Sequence, residues 1–160
     1  MKYNVLSIVR GTTVDGPGFR TSIYLAGCSH RCPGCHNPQS WDANAGAPMS
    51  LEGIMEIVRE EDFDVTLSGG DPLFNPESTA ALIAALKEDG RDVWLFTGYT
   101  WEQIIADERL KSAIAQADVV VDGPFISSLK DRDLLFRGSS NQRLINVAAS
   151  LSSPSPILYA

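Results

Sequence analysis

Three thiols fall within eight residues, Cys28, Cys32 and Cys35 in the run CSHRCPGC, and the 160-residue chain has no other cysteine. A disulfide scaffold normally uses an even number of cysteines spread along the chain. Here any disulfide would close a tiny loop and leave one thiol over. Crowded reduced thiols point instead to metal or redox chemistry. Three thiolates on one compact loop can bind three irons of a cubic four-iron cluster, whose ligands are normally cysteine thiolates. With no fourth cysteine, one iron stays open to a small ligand, which allows chemistry rather than simple electron storage. Structural zinc, with His30 or His36 as fourth ligand, is the other reading. Structural zinc sites more often join two separated pairs of ligands, whereas these three thiols share one loop. A single catalytic cysteine would not explain three.

The elements that position this loop follow from periodicity and punctuation. Met1 to Arg10 reads as a short leading strand and Gly11 to Gly18 as a loop, with Asp15-Gly16-Pro17-Gly18 as turn residues. Thr21 to Ala26 (TSIYLA) is β-rich, so the cysteines begin where a strand ends. Ser50 can cap a helix to about Glu60, with Leu51, Ile54, Met55 and Val58 on its buried face. Strand DVTL (Asp64–Leu67) runs into Ser68-Gly69-Gly70. Asn75-Pro76 opens a second helix that Gly90 closes. Strand DVWLF (Asp92–Phe96) ends in Thr97-Gly98-Tyr99, and Thr100 with Gln103 forms a capping box for a third helix. Asp118 to Val121 is a further strand, Leu144 to Val147 a late one, and the tail from Ser150 reads as irregular.

Strands alternating with helices predict an α/β fold of parallel strands joined by crossover helices. Such folds gather chemistry at the C-terminal ends of their strands, where the cysteines, Gly69-Gly70 and Gly98-Tyr99 all fall. The length suits one domain over 1–160 and is short for a closed eight-stranded barrel of about 250 residues. A net charge of -7 argues against a broad nucleic-acid surface. No apolar run approaches the ~20 residues that span a membrane, and the first ten residues lack the pattern of a signal peptide. The expectation is a cytoplasmic protein with neither nucleic-acid nor membrane partners.

Several residues admit a plain structural role beside a functional one. Gly69 and Gly70 either let backbone approach a ligand or make a strand-to-loop turn. Asp71 can cap its own loop. Asn37 can donate near a cluster or shape a turn with Pro38, Trp41 can pack the cysteine loop, and Tyr99 can line a pocket or fill the core. Arg20 can face an acidic or phosphate group, or lie on the surface.

CSHRCPGC resembles the three-cysteine signature of radical S-adenosylmethionine enzymes. The chain is most similar to the branch that activates anaerobic ribonucleoside-triphosphate reductase, where Pro-Gly before the third cysteine is familiar. The resemblance also rests on VDGPGFR (Val14–Arg20), GCSHRCPGCHNPQSW (Gly27–Trp41), SGGDPL (Ser68–Leu73), FTGY (Phe96–Tyr99), VDGPF (Val121–Phe125) and FRGSSNQR (Phe136–Arg143). It implies a partial, incomplete TIM-type barrel and a 4Fe-4S cluster on Cys28, Cys32 and Cys35. It further implies S-adenosyl-L-methionine on the open iron, with Asn37, Ser68, Gly69, Gly70, Asp71 and Tyr99 around the cofactor. Reductive cleavage would give a 5′-deoxyadenosyl radical that takes hydrogen from a glycine of the large reductase subunit. A reductant such as flavodoxin would supply the electron. An activase of the pyruvate formate-lyase type shares DGPG and CHNP and is the neighbouring possibility; a zinc-stabilised interaction module is the remote one.

Overall fold

The computed structural model describes residues 2–35 and 38–160. Its centre is one seven-stranded sheet in the order β3-β1-β2-β4-β5-β6-β7. The strands are β1 (Lys2–Thr12), β2 (Arg20–Leu25), β3 (Ala47–Ser50), β4 (Asp64–Gly69), β5 (Val93–Phe96), β6 (Val119–Asp122) and β7 (Arg143–Asn146). The helices are α1 (Leu51–Glu61), α2 (Pro76–Glu88), α3 (Trp101–Ala106), α4 (Glu108–Ile114) and α5 (Val147–Leu151).

The four central strands β2, β4, β5 and β6 pair in parallel, as the alternating pattern requires. The outer strands do not. β1 pairs antiparallel with both β2 and β3, and β7 pairs antiparallel with β6. The expectation of parallel strands therefore holds for the centre and is corrected at both edges. β1 also runs past Arg10 to Thr12, with its register shifting between Arg10 and Thr12.

Local signals start the helices where they stand in the chain. Ser50 accepts from the Gly53 N–H at 3.0 Å. Thr100 and Gln103 exchange the two bonds of a capping box, at 3.2 and 2.9 Å. The third helix, however, breaks in two. The Asp107 carboxylate accepts from the Arg109 and Leu110 N–H groups and starts α4 afresh.

The two sheet faces differ because side chains alternate along each strand. Ile23, Leu25, Val65, Leu67, Val93, Leu95, Val120 and Ile145 pack under the helices in the main core. Trp94, Val119 and Val121 form a smaller cluster with Phe96, Phe136 and Leu144. Asp15 reaches the hydroxyls of Ser22 and Tyr24, and its carbonyl accepts from Thr66. Apart from α5, which takes in Ser150 and Leu151, the tail is irregular as expected, yet it is tied to the sheet: Tyr159 N–H bonds to Leu144 O at 2.8 Å, and its ring stands edge-on to Trp94 at 5.1 Å.

Arg20 is fully buried and turned inward. Its guanidinium donates to Thr66 Oγ1, Val65 O and Asp92 O and pairs with the Asp92 carboxylate at 2.9 Å. The acidic group it faces belongs to the chain itself; with a further bond to Pro17 O at 3.3 Å, Arg20 ties the Asp15–Gly18 turn to β4 and to Asp92 just before β5.

Candidate metal centre and adjoining cleft

The cysteine loop leaves β2 at Ala26 and is fastened on two sides. On one, Gly27 N–H bonds to Ser40 O at 2.8 Å and Cys28 N–H to Trp41 O at 3.3 Å, zipping the loop to the 3-10 turn Pro38–Trp41. On the other, Gly70 N–H bonds to Leu25 O at 2.8 Å and Asp71 N–H to Gly27 O at 2.7 Å. Between these ties Arg31 takes a left-handed conformation (φ 50), and the Cys35 N–H folds back to Cys32 O at 3.0 Å. All three cysteines are half-buried and none is in a disulfide.

Glycine is required where β4 meets the end of β2. Gly69 has φ 113, and a Cβ there would stand 2.3 Å from Leu25 N. A Cβ on Gly70 would stand 2.4 Å from Gly27 O. Both contacts are backbone and cannot yield, so these glycines first serve a close approach of chain to chain. Gly69 and Ser68 also line the cleft described below.

Asp71 is the hub of this end of the sheet and is only 2% exposed. Its Oδ1 accepts from Leu73 N–H at 2.9 Å, capping its own loop. Its Oδ2 accepts from Thr97 Oγ1 at 2.9 Å and Gly98 N–H at 3.0 Å and lies 2.6 Å from His30 Nε2. Tyr99 meets the His30 ring edge-on at 4.5 Å and packs against the main core; it is not among the residues lining the two cavities below. Cys28, His30 and Asp71 offer ligand atoms within 4.8 Å of one another. The Asp71 oxygens serve three other donors besides, so the same carboxylate ties His30, and with it the cysteine loop, to this end of the sheet. His36 and Asn37 lie outside the described residues.

Two cavities adjoin here. A small one of about 130 Å³ is bounded by Cys28, Cys32, Cys35, Trp41 and Gly70. An open cleft of about 380 Å³ is lined by Asp15, Ser68, Gly69, Leu134 and Arg137. Cys35, Phe96, Phe125 and Gln142 border both, so the thiol-lined cavity opens into the cleft. Sequence reasoning marked the segments VDGPF and FRGSSNQR, which carry Phe125, Arg137 and Gln142, without choosing these residues within them. Gln142 holds their loop, accepting from Gly138 and Ser139 N–H and donating to Gly123 O. Arg143 turns away, pairing with Asp122 at 2.6 Å and Glu102 at 2.7 Å.

The donor set fits an iron–sulfur cluster. Three thiols from one loop line one cavity, and the chain has no fourth cysteine. Burial pushes the Cys28 thiol up, and the Asp71 charge adds to it. A bond to iron is what would hold that sulfur as thiolate. Two buried donors bordering these cavities, Trp41 Nε1 and Arg137 Nε, have no acceptor.

A family model described as a 4Fe-4S single cluster domain matches residues 14–145. An anaerobic ribonucleoside-triphosphate reductase-activating protein of Salmonella typhi is 36% identical over 140 residues, covering 81% of this chain and 89% of the relative. The Escherichia coli (strain K12) protein of that name is 35% identical over 139 residues, with the same coverage. That of Haemophilus influenzae is 32% identical over 151 residues, covering 87% and 95%. The chain, with three thiols facing one cavity and no fourth, belongs to this family of 4Fe-4S activating proteins.

Proposed function

We propose that this chain is a radical S-adenosylmethionine enzyme that activates an anaerobic ribonucleoside-triphosphate reductase. The observation that carries this reading is the three-cysteine cavity opening directly into a larger cleft at the C-terminal ends of parallel strands. The reduced cluster would supply the electron that cleaves S-adenosylmethionine, and the resulting carbon radical would take hydrogen from a glycine of the reductase. The relatives' names favour this target over pyruvate formate-lyase. Four parallel strands carrying the site at one end support a partial barrel of the radical S-adenosylmethionine type.

The chain's residues take distinct parts. Cys28, Cys32 and Cys35 would hold three irons and leave the fourth open to a small ligand. Ser68, Gly69 and Gly70 form a floor narrow enough for a cofactor amino group, and Asn37 is proposed beside them. The Arg137 guanidinium, with an unpaired buried Nε, suits the cofactor carboxylate. Phe96 and Phe125 screen the junction of the two cavities from water. Asp71 and Tyr99 position His30 and so the loop. The open cleft leaves room for a glycine-bearing segment, and a reductant such as flavodoxin would supply the electron from outside. Among the described residues no helix is long and apolar enough to cross a membrane.

The test is anaerobic reconstitution, reduction with dithionite, and chromatography after adding S-adenosylmethionine. Methionine and 5′-deoxyadenosine in equal amounts are expected. A chain that takes up one zinc, holds no sulfide and leaves the cofactor intact would overturn the reading.

A further inference from the structure

Trp41 is built into the metal centre rather than packed behind it. Its carbonyl accepts the Cys28 N–H at 3.3 Å, so its backbone is registered to the first cysteine. Trp41 is among the residues that line the cavity of all three cysteines. The Arg31 guanidinium lies 5.5 Å from its ring centroid, which holds the indole against the loop. Its Nε1–H is buried and has no acceptor.

An indole has a single polar atom, a donor that normally finds a partner when buried. Leaving it unpaired is costly, and such a group in a native fold points to a missing partner. A cluster bound by Cys28, Cys32 and Cys35 would bring sulfide and thiolate sulfurs into this cavity. Those sulfurs are hydrogen-bond acceptors, and bonds to them tune cluster potential.

We propose that the Trp41 Nε1–H donates a hydrogen bond to a sulfur of the cluster and thereby raises its reduction potential. The inference rests on the cluster and is independent of S-adenosylmethionine. The direction follows from charge. Reduction adds one electron to the cluster, so a donor at sulfur stabilises the reduced form more than the oxidised form. Trp41 thus eases reduction by the electron donor while moderating the reducing power delivered in the cleft. The Arg31 cation over the ring polarises the indole and strengthens it as a donor. Trp41 is a positioning and tuning residue with no contact to the reacting carbon.

The test uses the full-length reconstituted chain carrying ¹⁵N-indole tryptophan. Its tryptophans are Trp41, Trp94 and Trp101; the last two are buried, and neither lines the cavity of the cysteines. Pulsed electron paramagnetic resonance of the reduced cluster is expected to show a weak ¹⁵N coupling and a proton that exchanges in D₂O. Trp41→Phe should lose both signals and shift the midpoint potential downward at unchanged iron and sulfide per chain. Should Trp41→Phe fail to keep its cluster, the wild-type ¹⁵N measurement decides alone. An intact wild-type cluster with no ¹⁵N coupling overturns the proposal, as does an unchanged potential in a fully loaded Trp41→Phe chain. Absence of iron and sulfide from the wild type would overturn the cluster reading itself, a distinct result.

Discussion

His30 Nε2 lies 2.6 Å from Asp71 Oδ2, and this contact joins the cysteine loop to the ends of β4 and β5. Asp71 reaches it from the β4 end, and Gly98, at the β5 end, leaves the imidazole its space: a Cβ on Gly98 would stand 2.6 Å from the ring. Replacing Asp71 with Asn swaps one acceptor oxygen for an NH₂ group among N–H and O–H donors. The expected cost is about 1–3 kcal/mol in urea unfolding of the metal-free chain. Iron bound per chain after reconstitution should fall with it. Equal stability and equal iron would contradict the role given to Asp71.

Gly69→Ala should act on the fold before it acts on any ligand. The added methyl meets Leu25 backbone at a residue whose φ of 113 already disfavours a side chain. The β2–β4 junction must open, so the melting temperature should drop along with cofactor affinity. Weaker cofactor binding at unchanged melting temperature would show that Gly69 serves the ligand alone.

Arg20→Met should destabilise the chain by about 3 kcal/mol, the low end for breaking a buried pair. The low end applies because Asp92 keeps access to water, its side chain being 39% exposed. Thr66 Oγ1 and the Val65 carbonyl would lose a donor inside the sheet. A shift in the urea midpoint measures it; a loss below about 0.5 kcal/mol, within the range of surface changes, would contradict that tie.

The Glu102–Arg143 pair sets a pH dependence. Hydrogen bonding to Arg143 holds the Glu102 carboxyl below the usual range. Hydrogen bonds to Asp122 and Glu102 likewise raise Arg143. A carboxyl depressed in the folded state adds stability above its unfolded value, about 4.3, and loses it as pH falls through the folded value. Because Glu102 is well exposed, the gain is about 0.5 kcal/mol. Glu102→Gln should be less stable than wild type at pH 7, and the gap should close toward pH 3. A gap independent of pH would contradict the assignment.

Features encoded within a few residues were legible in the sequence, and features made by distant partners were not. Ser50 and the Thr100–Gln103 box mark helix starts because capping is local. The cysteines and Ser68-Gly69-Gly70 stand out because strands end in turn residues there. The direction of β1 and β7 is not local information, since an antiparallel edge strand carries the same alternation as a parallel one. β3 is four residues with little burial, formed by pairing to β1 across more than forty positions of chain. The helix break at Asp107 had a visible cap residue, but the apolar spacing continues across it. In the site, Asp71 was readable as a loop cap, while its hold on His30 and Thr97 required the fold. The same holds for Arg20, whose partner Asp92 is 72 positions away, and for Trp41, whose buried N–H has no sequence signature.

The most direct measurement mixes the reduced, reconstituted chain with S-adenosylmethionine and the large subunit of an anaerobic ribonucleoside-triphosphate reductase. Electron paramagnetic resonance then follows the reductase. A glycyl radical should appear on the reductase, require both cofactor and reductant, and be absent with Cys32→Ala. An intact cluster and a competent reductase that together yield no glycyl radical would contradict the account.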